Sequence, residues 1–398
     1  MQINRVGYFL LLVLLLIFSY GFVDFSIPVS VPFNLNRIVY DARISSTAVN
    51  IGIVILLFCM YGYFLWQAHK KKLSALSLKN TLLITTALLL LSYPAFSNDI
   101  YNYIATAKVT YLYGENPYII MPIELTHEPM LSYLHAANKM ALYGPAWILL
   151  TVIPHAAGMG NLLQTILAFK LFMALFYLMT AYLIWHLSNK NILSVTVFAL
   201  NPLVLIESLV SSHNDIVMMF FALLSFFLLK KRIAILAFAV LLVSVGIKFA
   251  TVILVPVLLY VWYRQRLGKK IVWPRVWLSC SLLLLFVFLL SPLREEMYPW
   301  YFQWVIVFIA LIPDYVVLFI AMIGLSFGLS LRFAPYVYIR NWGSPVAEIK
   351  QVVTGLSLVF SLASYYAYRL ISSKRKNEKR KPYDHVKINK TSVQKRGS

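Results

Sequence analysis

Long apolar runs alternate with short polar or basic segments along the whole chain. The runs cover 6–23, 47–67, 81–96, 162–186, 192–209, 215–229, 233–246, 248–263, 276–291, 299–312, 315–331 and 348–371. Crossing a bilayer takes about twenty apolar residues. The pattern therefore predicts an all-α fold: a polytopic membrane protein of about 12 transmembrane helices, in one multi-span domain over 1–371. The first run follows Arg5 but is longer than a signal-peptide core and has no A-x-A-like site after it, so it counts as a span. The stretch GPAWILLTVIPHAAG, 144–158, is apolar too. Its shortness and two prolines point instead to a re-entrant or interfacial element.

Charge fixes the expected orientation. Basic clusters lie at 70–72 with Lys79, at 230–232, at 264–275 and from 374 onward. Lys and Arg concentrate in cytoplasmic loops. With twelve crossings all four clusters fall on that side of the cell membrane, both termini are cytoplasmic, and the loop 97–161 faces outward. A crossing at 144–158 would turn the later clusters outward. The tail 372–398 is basic and nearly devoid of large apolar residues, which predicts disorder. It reads as a topology signal or as a contact for anionic membrane lipids.

Composition agrees with a membrane protein: 61% of residues are hydrophobic and 12% charged, with a mean hydropathy of +0.77. A soluble enzyme is excluded. The net charge of +21 belongs to the loops and does not imply a nucleic-acid partner. The two cysteines, Cys59 and Cys280, sit inside apolar runs and read as small buried hydrophobes.

In such a chain the informative residues are the few ionisable ones near or inside spans. The predicted topology brings Asp99, the triplet His213, Asn214 and Asp215, Lys248, and Arg294, Glu295 and Glu296 to the outer ends of spans. Asp99 precedes a predicted helix over 100–113, and it reads either as a helix cap or as a general base. The triplet opens a span as a good helix start. Lys170 and Glu207 lie within spans, and they read as an ion pair or as a snorkelling lysine with a separate carboxylate. Lys248 reads as a snorkelling cation or a phosphate ligand. The segment YPWYFQW, with Trp300 and Tyr301, is an aromatic belt or a sugar-stacking surface. Glu115, Glu124 and Glu128 read as solvated. No phosphate loop, zinc motif or D-x-D pair occurs, which argues against nucleotide hydrolysis, zinc chemistry and a metal-bound nucleotide sugar.

The segments SNDIYNYIATAKVTYLYGENPY, LYGPAW, NPLVLIESLVSSHNDIVMMFF, VGIKFAT and YPWYFQW, taken in order, resemble bacterial polytopic glycosyltransferases of the GT-C superfamily. The likeness is greatest to polyprenyl-phosphate-mannose-dependent α-mannosyltransferases and covers about 82–371. It implies transfer of a hexose, mannose above all, from a polyprenyl-phosphate sugar to a lipid-linked or cell-envelope glycan, on the outer face and with inversion. No cofactor or metal is implied. Asp99 falls on the family's catalytic aspartate. Lys248, His213 and Arg294 would then meet the donor phosphate, and Tyr101, Asn102, Asn214, Asp215, Trp300 and Tyr301 would hold sugar or acceptor. Here two spans precede the aspartate's span, where the family usually has none. A transporter or flippase of lipid-linked sugars, or a glycan polymerase or ligase, stays open as an alternative.

Overall fold

The computed structural model describes residues 2–23, 25, 31–134, 136–293 and 296–393. Among the described residues every regular element is helical. Six helices are long and apolar enough to cross a bilayer: Arg5–Phe22, Arg43–His69, Leu162–Leu187, Trp273–Leu293, Val316–Ile339 and Val346–Ser373. The protein is a polytopic membrane protein. Each of the twelve apolar runs coincides with a helical segment, although several of these are short or broken. The last helix, Val346–Val393, continues into the basic segment.

Local chemistry sets the boundaries. The run expected at 81–96 forms a helix at Ala75–Leu90, because Ser74 caps it by accepting from the Ser77 N–H at 3.2 Å. The run at 192–209 is two pieces, Ile192–Ala199 and Pro202–Val210, bent by 55°. Pro202 removes an amide donor, and Asn201 restarts the chain by accepting from the Leu203 N–H at 3.0 Å. The stretch 144–158 forms two short helices, Pro145–Leu150 and Val152–Ala157. At about 1.5 Å per residue the pair is too short for a hydrocarbon core about 30 Å thick. Of the two free cysteines, Cys280 is buried as expected, but Cys59 lies on the exposed face.

The basic loops meet at one end of the bundle. Gln265 Nε2 donates to Leu229 O at 3.0 Å, and the Lys230 ammonium lies 5.6 Å from the Trp273 ring. At the other end a glycine contact joins two distant turns. Gly144 N–H donates to Ile247 O at 3.1 Å, and a Cβ on Gly144 would lie 2.2 Å from Gly246 O. Only glycine lets the LYGPAW turn approach the VGIK turn this closely.

The carboxylates of the segment 97–161 are not uniformly solvated. Glu128 is buried and accepts from Lys108 Nζ at 2.6 Å, Tyr113 OH at 2.8 Å and Met130 N–H at 3.1 Å. Burial raises its pKa, but these bonds and the Lys108 charge outweigh burial and leave it below the usual carboxylate value. A carboxyl lowered on folding adds stability above its unfolded pKa, and that stability is lost as pH falls through the folded value. Glu128→Gln should therefore melt below the wild type at neutral pH, with the gap closing as pH drops below the ordinary value of 4.5. Melting curves against pH check this; a gap independent of pH would remove the ion pair as its cause.

Candidate functional site

The segment 97–161 begins with the helix Asp99–Tyr111, whose buried face includes Ile100, Tyr101, Tyr103, Ile104 and Ala107. Asp99 is the first residue of this helix and not its cap. The cap position is Asn98, and Ser97 Oγ accepts the Asp99 N–H at 3.2 Å. The Asp99 carboxylate, 24% exposed, is thus not spent on its own helix end. Its Oδ2 accepts from Tyr103 OH at 3.4 Å and lies 4.0 Å from His213 Nε2. Burial, and next the Asp99 charge, raise the Tyr103 hydroxyl well above its usual pKa, so it remains a donor. The same hydroxyl accepts from the Asn214 N–H at 3.1 Å and so ties this helix to the HND triplet.

The bent helix supplies the opposite wall. It ends in a π-helical turn, Ile206–Val210, and such turns recur at functional sites. Ser212 follows with φ at 61°, an uncommon conformation for a non-glycine residue. The reversal lets the His213 N–H reach Glu207 O at 2.9 Å and sets His213 Nδ1 2.9 Å from Glu207 Oε2. With Nδ1 donating to Glu207, Nε2 faces Asp99 without a hydrogen-bond partner. The ring is fully buried and stacks under Trp300 at 4.0 Å, and Trp300 stacks on Tyr298 at 4.5 Å.

Lys170 and Glu207 do not pair. Lys170 Nζ donates to Leu209 O at 2.8 Å, Val210 O at 3.1 Å and Ser92 Oγ at 3.1 Å, so it holds carbonyls of the π turn, while Glu207 holds His213. The expected snorkelling does not occur either, since Lys170 is buried. Lys248 neither snorkels nor lies open to an anion. Its Nζ donates to Asp215 Oδ2 at 2.6 Å and sits 5.1 Å from the Tyr301 ring. Asp215 is fully buried, with Trp304 Nε1 donating to Oδ1 at 2.7 Å, and Tyr301 stacks on Trp304 at 4.4 Å.

Beside these residues lies a cavity of about 650 Å³. Ser97, Asn98, Tyr101, Glu207 and Trp300 line one part of it; Glu296, Arg332, Arg340 and Lys350 line another, with Phe22, Val54 and Phe96 among its apolar residues. Two expected sugar contacts, Tyr101 and Trp300, therefore face the cavity. Asn214 and Asp215 are fully buried and do not line it, and Asn102 lines a separate small cleft with Tyr143 and Pro122. Arg294 and Glu295 lie outside the described residues. The sequence reading missed Arg332, Arg340 and Lys350. Their signal was present: they are cations at span ends that the charge pattern assigns to the outer face, where topology gives no reason for them. No group of three metal-ligating side chains occurs among the described residues.

A helical bundle with a cavity lined by polar and aromatic side chains, and with the Asp99 carboxylate next to its lining residues Ser97 and Asn98, defines a multi-pass membrane protein with an internal polar site. The chain belongs to the alpha-(1->6)-mannopyranosyltransferase family, the model of whose N-terminal domain matches residues 9–264. It is also similar to alpha-(1->6)-mannopyranosyltransferase A of Mycobacterium tuberculosis (strain ATCC 25618 / H37Rv), with 28% identity over 195 residues. That alignment covers 48% of this chain and 37% of the curated relative's length. No solved structure matches the chain.

Proposed function

We propose that the protein is a mannosyltransferase that moves mannose from a polyprenyl-phosphate sugar to a lipid-linked or cell-envelope glycan. The observation that carries this reading is the partly exposed Asp99 carboxylate, held by Tyr103 and faced by the Glu207-bound His213, directly after Ser97 and Asn98, which line the cavity together with Glu207 and Trp300. Family membership and the resemblance of the surrounding motifs support it. A lipid-phosphate sugar carries its own leaving group, so the protein must position the acceptor, take its proton and stabilise the departing phosphate. Asp99 takes the proton. Direct attack through one base inverts the anomeric carbon. His213, Asp215 and Lys248 act as positioning residues: His213 supports Trp300, and the Asp215 and Lys248 pair anchors Trp304 and Tyr301. The stacked Trp300 and Tyr298 line the cavity with aromatic surface, against which a sugar can lie.

The test is a panel of polyprenyl-phosphate sugars offered to the purified protein, with products followed by mass spectrometry. Mannose transfer to a membrane glycolipid is expected. The bent helix at Asn201 and Pro202 also suits a transporter, whose sites favour discontinuous helices; movement of the intact donor across vesicles without transfer would support that reading instead.

The outer-face orientation has its own expected outcome. In a background with Cys59 and Cys280 replaced by serine, a cysteine at Asn116 should react with a membrane-impermeant maleimide in intact cells, and one at Lys269 should not. Labelling at Lys269 would place the cavity on the cytoplasmic side.

A further inference from the structure

Two cations of the cavity converge on a single oxygen. Arg332 Nη2 and Lys350 Nζ both donate to Glu296 Oε1, the lysine at 2.9 Å. The side chains of Arg332 and Lys350 are 4% and 6% exposed, whereas that of Glu296 is 36% exposed. Arg332 Nη1 is fixed by Thr354 Oγ1 at 3.3 Å and Lys350 O at 3.4 Å, and its Nε is buried without a partner. Lys350 lies 4.5 Å from the Trp342 ring, which is 6.1 Å from Phe333. Phe333 packs in turn on Phe22, beneath Arg340, whose Nε is also buried without a partner. Among the described residues, three cations thus line this part of the cavity against one carboxylate. The cavity's other carboxylate, Glu207, is bonded to His213. Excess buried charge of one sign is costly unless a counter-ion joins it.

We propose that Arg332, Lys350 and Arg340 form the seat for the phosphate of the lipid-linked donor, with Glu296 as the carboxylate that the phosphate displaces. The seat rests on the donor class proposed above. One phosphate oxygen takes the place of Glu296 Oε1 and receives both cations, and the unpartnered Arg332 Nε meets a second. The polyprenyl chain leaves along Leu15, Phe22, Ile53 and Val54. A sugar phosphodiester carries one negative charge, and the released monophosphate carries between about 1.5 and 2 at neutral pH. A seat with two positive charges in excess therefore binds the leaving phosphate more strongly than the donor, and that difference accelerates the transfer. Lys248, engaged by Asp215, is not part of this seat.

The experiment measures the binding of a polyprenyl monophosphate to the full-length protein in lipid nanodiscs, with the matching polyprenol and inorganic phosphate as parallel probes. Wild-type protein should bind the lipid monophosphate and not the polyprenol. Arg332→Gln and Lys350→Gln should each weaken it by about ten- to a hundredfold, as expected for loss of a charge-assisted bond. Glu296→Gln, which removes the competing carboxylate, should tighten it, a gain that misfolding cannot mimic. Equal protection by inorganic phosphate would assign the seat to free phosphate. Unchanged binding in both cation variants, or weaker binding in Glu296→Gln, overturns the seat while leaving the donor reading intact. Absence of binding to the wild type overturns the seat as well. Mannose transfer from a nucleotide sugar alone would instead overturn the donor reading.

Discussion

Asp99→Asn is expected to lower turnover by about a hundred- to ten-thousandfold, the usual cost of removing a positioned general base, with little change in melting temperature. Asparagine keeps the size of the side chain and an oxygen for Tyr103 OH, which lies 3.4 Å from Asp99 Oδ2. Helix initiation should survive, because Ser97 and not Asp99 accepts the free N–H at this end. The favourable placement of a negative charge in the first turn is lost, at about 0.3 to 1 kcal/mol. What disappears is the carboxylate to which the proposed mechanism assigns the acceptor's proton. Turnover measured together with thermal unfolding decides the matter: near-normal turnover would leave Asp99 as part of the helix start only.

The second large effect falls on stability. Lys248→Ala strips the paired cation from a carboxylate that is fully buried, since Asp215 is held by Lys248 Nζ at 2.6 Å and Trp304 Nε1 at 2.7 Å. Breaking a buried ion pair on one side typically costs about 3 to 5 kcal/mol, because the remaining charge loses its compensation. A marked fall in melting temperature is expected, and donor use should suffer through misplacement of Trp304 and Tyr301. The double variant Lys248→Met with Asp215→Asn removes both charges and keeps an acceptor for the indole N–H. It should recover most of the stability. If the single variant melts as the wild type does while its donor KM alone rises, Lys248 binds phosphate directly and its pairing with Asp215 is of minor weight.

The apolar runs were legible because span length is set by the bilayer and helix starts by short capping signals. Their ends moved where a cap or proline intervened, as at Ser74 and Asn201. Asp99, His213 and Trp300 were legible as polar or aromatic residues at span ends, and they do come together. The pair of Glu207 and His213 was not. On a regular helix residues six apart do not face each other; the π turn and the left-handed Ser212 bring them within 2.9 Å. The expected pair of Lys170 and Glu207 failed for the same reason, since the π turn presents carbonyls to the lysine. The cluster of Glu296, Arg332 and Lys350 joins residues far apart in sequence across the top of different helices. No local pattern encodes such a meeting; only the sidedness of the cations hinted at it.

The most direct measurement is the initial rate of mannose transfer by purified wild type and Asp99→Asn, from polyprenyl-phosphate mannose and, in parallel, from a nucleotide-diphosphate mannose. The account predicts transfer by the wild type from the lipid donor only, with inverted anomeric configuration in the product, and a rate at least about a hundredfold lower in the variant. Transfer from the nucleotide donor at comparable rates in both proteins would contradict it.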